Sequence, residues 1–148
     1  MSLKILWPND LSKCSEGAIP YVKSFAQHYD AEVHVLYVME DLARHDPWYG
    51  EFEQATIEKV RKWEEKKAQE KQEELCKKHF EDCKKFGKHI RVGDPAKEIL
   101  NFIEAEKMDV VVMCRKGESG VFKMGSVAQR VVRHAPVPVV TVPSNHGK

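Results

Sequence analysis

Five short apolar runs recur along this chain, and stretches with helical spacing separate them. Lys4 to Trp7, Val33 to Val38, His89 to Val92, Asp109 to Met113 and Val137 to Val142 are each of strand length. The second and fourth are nearly unbroken rather than alternating, the pattern of strands buried on both faces. Between the runs, apolar residues fall three or four apart: Ala18, Val22, Phe25, Ala26 and Tyr29 in one segment, Ile99, Leu100, Phe102 and Ile103 in another. Such spacing gives a helix one buried stripe. Strands alternating with helices predict an α/β fold with a parallel sheet, right-handed crossovers and helices on both faces. At 148 residues the chain suits one core better than two, so residues 1–148 read as a single domain.

Local signals set the expected boundaries. Pro8, Asn9 and Asp10 stop the first run in a turn, and Ser12 or Ser15 then caps a helix reaching about Tyr29. Pro47 and Gly50 break the segment from Met39 to Gln54, which carries the aromatic residues Trp48, Tyr49 and Phe52. From about Ala55 to Lys85 the pattern predicts a long charged helix. Glu58 with Lys62, Glu73 with Lys77, Glu74 with Lys78 and Glu81 with Lys85 stand four apart in the favourable order. Each pair adds about 0.2–0.5 kcal/mol. Its sparse apolar side is Ile57, Val60, Leu75, Phe80 and Cys83. Asp94 before Pro95 marks an N-cap with proline at the first helical position. Ser126 with Gln129 reads as a capping box opening a helix to about His134. Prolines 136, 138 and 143 around the last run point to a sheet edge.

Charge and composition narrow the function. Twenty-four basic against 23 acidic residues leave a formal net charge of +1. That balance offers no field for nucleic acid or an anionic membrane, and no run approaches the roughly 20 apolar residues of a spanning helix. The opening residues lack the features of a signal peptide, so a cytoplasmic location is expected. Cys14, Cys76, Cys83 and Cys114 form no CxxC pair and are expected as reduced thiols packed as small hydrophobes. The histidines show no ligand spacing, and no metal site is expected.

In a parallel sheet, ligands bind at the carboxyl ends of strands where strand order reverses. The turns after the first and fourth strands are therefore the candidate site. The second of these turns, Cys114 to Ser126, has the ingredients of an anion cradle. Gly117, Gly120 and Gly125 let the backbone bend, Gly125 and Ser126 open a helix, and Arg115, Lys116 and Lys123 add positive charge. Asp10 offers an acceptor for a ribose hydroxyl or an adenine amino group. Neither the P-loop nor G-x-G-x-x-G is present. There is no nucleophile elbow, Cys–His pair or carboxylate cluster, so no catalytic residues are expected; a slow ATPase would lack a visible general base.

The chain resembles the universal stress protein family over almost its whole length. Lys4-Ile-Leu-Trp-Pro-Asn-Asp10 is similar to that family's opening strand and proline–x–aspartate turn. Val33-His-Val-Leu-Tyr-Val38 is similar to its second strand, and Val92-Gly-Asp-Pro-Ala96 to the entry of its third helix. Asp109 to Met113 resembles the fourth strand. Gly125-Ser-Val-Ala-Gln-Arg-Val131, continued by His134-Ala-Pro-Val-Pro-Val139, is the most specific match.

The resemblance implies a Rossmann-like three-layer sandwich of the adenine nucleotide alpha hydrolase-like type, with five parallel strands in the order 3-2-1-4-5. It implies a homodimer through the last strand, and Val137, Val139, Val140 and Val142 would supply its apolar edge. It implies a stress-response sensor binding ATP or AMP, with Mg accompanying ATP and no other metal. Pro8, Asn9, Asp10 and Val38 would line the adenine and ribose side, and Met113 would lie against the base. Gly117, Gly120, Gly125, Ser126 and Val127 would meet the phosphates. Nucleotide-binding members share a pattern of Gly, two residues, Gly, nine residues, Gly, then Ser or Thr. Here Cys114 stands at the first glycine, and only seven residues separate Gly117 from Gly125. Those departures keep a second reading open: a protein–protein interaction module of the same fold, with Trp48 and Tyr49 on its partner surface.

Overall fold

The structure, a computed structural model, describes residues 3–10, 13–39, 54–81, 85–115 and 125–143. Its elements run β1 (Lys4–Pro8), α1 (Lys13–Glu16), α2 (Ile19–Tyr29), β2 (Glu32–Met39), α3 (Gln54–His79), β3 (Phe86–Val92), α4 (Pro95–Ala105), β4 (Val110–Cys114), α5 (Ser126–His134) and β5 (Val139–Val142). The strands form one sheet in the order β3-β2-β1-β4-β5, and every pairing is parallel. This is the expected Rossmann-like arrangement. The order reverses between β1 and β4.

Strand side chains alternate between the two faces, and each face meets its own helices. Ile5, Trp7, Val33, Val35, Val112 and Val142 pack with Ala18, Ile19 and Val22 of the α2 region, and with Phe80 after α3. Leu6, Leu36, Val111 and Met113 pack on the other face with Ile99, Phe102 and Ile103 of α4 and Ala128 and Val131 of α5. Central strands β1 and β4 are buried on both faces, which is why their sequences read as unbroken apolar runs.

Several expected boundaries shift. The helix expected from Ser12 or Ser15 to Tyr29 is two pieces, broken at Gly17 and Ala18. Ser15 stands inside α1, its hydroxyl bonded to Asp10, and Ser12 lies outside the described residues. The chain leaves α2 through Asp30 in the left-handed region (φ 49°), where a short polar side chain is tolerated. The long helix ends at His79 rather than near Lys85. Its buried positions include Ala68 and Gln72. Trp48, Tyr49 and Cys83 lie outside the described residues. Strand β3 begins at Phe86, three residues early, because Gly87 and Lys88 interrupt the apolar pattern without interrupting the ladder to β2.

Two helix starts decide the geometry near the carboxyl edge. Asp94 caps α4 as expected: its Oδ2 accepts from the Lys97 N–H at 3.0 Å, with Pro95 at the first position. Gly93 before it has φ 148° and donates to the Met39 carbonyl at 2.9 Å. A Cβ there would stand 2.8 Å from Glu98 Oε1, so the position needs glycine twice over. The capping box at Ser126 is not formed. Gly125, extended at φ −60° and ψ 152°, is the N-cap, and it has no side chain to offer.

A candidate nucleotide site at the switch point

The ladder brings the expected residues to one edge. Ile5 pairs with Val110 and Leu6 with Val111, so continuing that register sets Pro8 level with Met113. Pro8 pairs with Leu36 on the other side, and the Asn9 N–H extends the ladder to the Leu36 carbonyl at 2.9 Å. Val38 lies two residues further along β2. Pro8, Asn9, Asp10, Val38 and Met113 are therefore all at the carboxyl end, around the β1/β4 boundary. Pro8, Asn9 and Met113 are buried, Val38 is half-buried and Asp10 is exposed.

Val38, Met113 and Val127 belong to one apolar cluster, on the face that carries α4 and α5. Residues from β2, β4 and α5 thus share a surface beside the turn holding Asp10. Asp10 is positioned locally. The Ser15 hydroxyl donates to its Oδ1 at 2.5 Å, and its own N–H donates to Ser15 Oγ at 3.2 Å.

The start of α5 supplies hydrogen-bond donors. The Gly125 N–H is taken by the Arg115 carbonyl at 2.8 Å, which closes the loop between β4 and α5 at its base. The first intrahelical bond runs from the Gln129 N–H to the Gly125 carbonyl at 2.9 Å. The N–H groups of Ser126, Val127 and Ala128 precede it, and the N-cap residue, Gly125, has no side chain with which to cap them. They sit at the positive end of the helix dipole, with exposed Arg115 at the loop's other foot. An adenine nucleotide fits this set: an apolar surface for the base, a carboxylate for the ribose, amides and a guanidinium for phosphate. Gly117 and Gly120, with Lys116 and Lys123, lie outside the described residues.

The cysteines depart from expectation. Cys14 of α1 and Cys114 of β4 are joined in a disulfide, with Cα atoms 5.8 Å apart and 100 residues of sequence between them. They are not the independent reduced thiols expected from their scatter; the fold lays α1 over the end of β4. Strand alternation turns Cys114 to the face of Val112, opposite Met113 and Val38. Its sulfur is thus directed away from the apolar surface that the cradle shares. Neither periodicity nor spacing carries a signal for this contact.

No group of three or more metal-binding side chains gathers among the described residues, and no described helix is long and apolar enough to cross a membrane.

Residues 1–143 match the universal stress protein family. The chain belongs to that family. The universal stress protein MJ0531 of Methanocaldococcus jannaschii is 32% identical over 141 residues, covering 94% of this chain and 81% of the relative. The solved structure of MJ0577 from the same organism superposes with a TM-score of 0.83 at 28% identity, over 99% of each chain. A universal stress protein family structure from Arabidopsis thaliana, solved with AMP bound, gives a TM-score of 0.67 over 97% of this chain and 93% of its own. At 18% identity, that last likeness carries the fold.

Proposed function

We propose that the carboxyl edge between β1 and β4 binds an adenine nucleotide, AMP or ATP, and that the loaded state is what this protein reports to partners in a stress response. The observation that carries the reading is the meeting of Val38, Met113 and Val127 in one apolar cluster beside Asp10 and the start of α5, where the N-cap is a glycine. In this reading the base lies against Val38 and Met113, and the Asp10 carboxylate accepts from a ribose hydroxyl. The amides of Ser126, Val127 and Ala128 receive phosphate, with Gly117 and Gly120 completing the loop and Mg entering only with ATP. Universal stress proteins solved with AMP and with cAMP support the ligand class.

In this reading the role is binding, with the Asp10 carboxylate as acceptor and the first amides of α5 as donors. The protein acts in the cytoplasm as a dimer. Among the described residues β5 is an edge paired only to β4, and Val137, Val139 and Val140 are half-buried there while Val142 is buried, an apolar border suited to a second copy.

The test is direct. Purified protein is denatured, the released small molecules are chromatographed, and the stripped protein is titrated calorimetrically with AMP and ATP. Binding that weakens about tenfold or more in Val127→Glu, which sets a like charge against phosphate, is the expected result. Absence of both released nucleotide and binding heat up to millimolar ligand overturns the reading and leaves the interaction-module alternative.

A further inference from the structure

The Cys14–Cys114 bridge joins the two turns that flank the candidate site. Its partners come from adjacent strands' exits: Cys14 lies in α1, which follows β1, and Cys114 is the last residue of β4. Cys14 is also next to Ser15, whose hydroxyl holds Asp10. The one-turn helix α1 therefore grips Asp10 with one residue and β4 with its neighbour. Through that helix, the bridge sets where Asp10 stands relative to Arg115 and the loop that leads to α5.

We propose that this pair is a reversible thiol–disulfide latch, formed by exchange with a low-molecular-weight disulfide, that holds the nucleotide site in its binding arrangement. The Cα separation of 5.8 Å lies within the range a disulfide spans without backbone movement. The sulfurs are at the strand-end edge rather than mid-sheet; Cys14 keeps 8% and Cys114 7% of its surface exposed, whereas Val112, two residues before Cys114, keeps none. Disulfides in reducing compartments are typically transient and redox-sensing, which suits a bond placed at a ligand site.

The chemistry balances with an external disulfide R–S–S–R as oxidant. One protein thiol loses its proton and attacks a sulfur of R–S–S–R; that S–S bond breaks, and the departing RS⁻ takes up a proton. The second protein thiol, deprotonated in turn, attacks the protein-side sulfur of the mixed disulfide and displaces a second RS⁻, which is also protonated. The protein pair has lost two electrons and two protons, and two RSH have formed. A dithiol reverses both steps.

The consequence rests on the nucleotide reading above. With the bridge closed, Asp10 and the β4 exit are held together before ligand arrives, so less ordering is needed on binding. With it open, α1 is tethered to the sheet on one side only, and binding must order it.

The protein is equilibrated in glutathione buffers from reduced to oxidised, trapped with an alkylating reagent and digested for mass spectrometry. Oxidised samples are expected to show a Cys14–Cys114 cross-linked peptide with Cys76 and Cys83 alkylated; reduced samples show all four alkylated. Hydrogen exchange of residues 9–16 is expected to slow when the bridge closes. AMP is expected to bind at least about threefold more tightly to the oxidised form, as pre-organisation requires, and Cys14→Ser is expected to lose that redox dependence. Alkylated Cys14 and Cys114 at every buffer ratio, or exchange unchanged between states, overturns the latch. Equal or weaker AMP binding in the oxidised form overturns its effect on the site. If neither state binds AMP, the nucleotide reading and the affinity effect both fall, and the cross-link and exchange data alone decide whether the latch stands.

Discussion

His34 Nδ1 stands 2.9 Å from His89 Nε2 across the β2–β3 ladder, and His34 Nε2 stands 2.6 Å from Glu32 Oε1. Two imidazoles sharing one hydrogen bond can supply only one proton to it. With His34 donating to Glu32 from Nε2, a neutral His34 accepts at Nδ1 from His89. The rings also stack, 5.1 Å between centroids, and both lie against Phe102. This chain of partners sits on the α4 face of the sheet, against Phe102.

The pair predicts a loss of stability in mild acid. Burial lowers the pKa of His89 below its ordinary 6.5; the His34 and Arg91 charges act the same way, and Glu106 opposes them. The unfolded chain therefore binds more protons than the folded one, and stability falls as pH drops through 6.5 toward the folded value. Above that window His89 contributes no slope. His79 has the same sign, lowered by burial and by Lys78 and Lys23 against Glu16, so a variant is needed to isolate His89. Urea midpoints of wild type and His89→Gln, compared from neutral to acid pH, should show the wild type losing more below 6.5. Parallel curves would show that the His89 proton is not the source.

Asp94 predicts a split between two substitutions at one site. Its Oδ2 accepts from the Lys97 N–H at 3.0 Å and from Arg130 Nη1 at 2.9 Å, joining the start of α4 to α5. The ion pair is about half exposed on both sides, so it adds at most about 1 kcal/mol. The cap is worth typically about 1 kcal/mol. Asp94→Ala loses both, and should cost about 1–2 kcal/mol. Asp94→Asn keeps a capping oxygen and should cost about 0.5 kcal/mol. Chemical denaturation of the two variants distinguishes them; equal losses would mean the charge, not the cap, dominates.

The architecture was legible because parallel strands covered on both faces leave unbroken apolar runs, as at Val110 to Met113, and because Asp94-Pro95 announces a helix start. The site's framework was legible for the same reason: strand ends locate Asp10, Val38 and Met113. Contacts between distant segments were not. A hundred residues separate Cys14 from Cys114, and no periodicity reports that α1 crosses the end of β4. The N-cap at Gly125 is one residue before the one the sequence suggests, because Ser126 and Gln129 have capping-box spacing while the backbone turns helical one position earlier than a Ser126 cap needs. Gln72 carried no signal at all, being one polar residue in a charged helix.

Gln72 is nonetheless buried, 2% exposed, and its Nε2 donates to the His89 carbonyl at 3.1 Å. Among the described residues β3 is an edge strand, so this side chain supplies a partner that no described neighbouring strand provides. Gln72→Leu keeps the volume but removes the donor. The loss should be about 1–2 kcal/mol, with faster amide exchange along β3. A neutral result would mean water replaces the amide at that carbonyl.

Trp7 predicts an asymmetry of the opposite kind. Its side chain is fully buried and packs on Phe80, ring centroids 5.7 Å apart, yet its indole N–H meets no acceptor among the described residues. A buried donor left unpaired costs about 1–3 kcal/mol. Trp7→Phe removes that cost and keeps the ring contact, while giving up part of the volume. The two effects should nearly cancel, leaving stability within about 1 kcal/mol of wild type. Trp7→Ala has no such compensation and should lose about 3–5 kcal/mol, the range for truncating a large aromatic in a core. Thermal and urea unfolding of the pair give the comparison. A Trp7→Phe loss as large as that of Trp7→Ala would show that the indole N–H is satisfied in solution and that it, rather than the ring, holds the centre of the sheet.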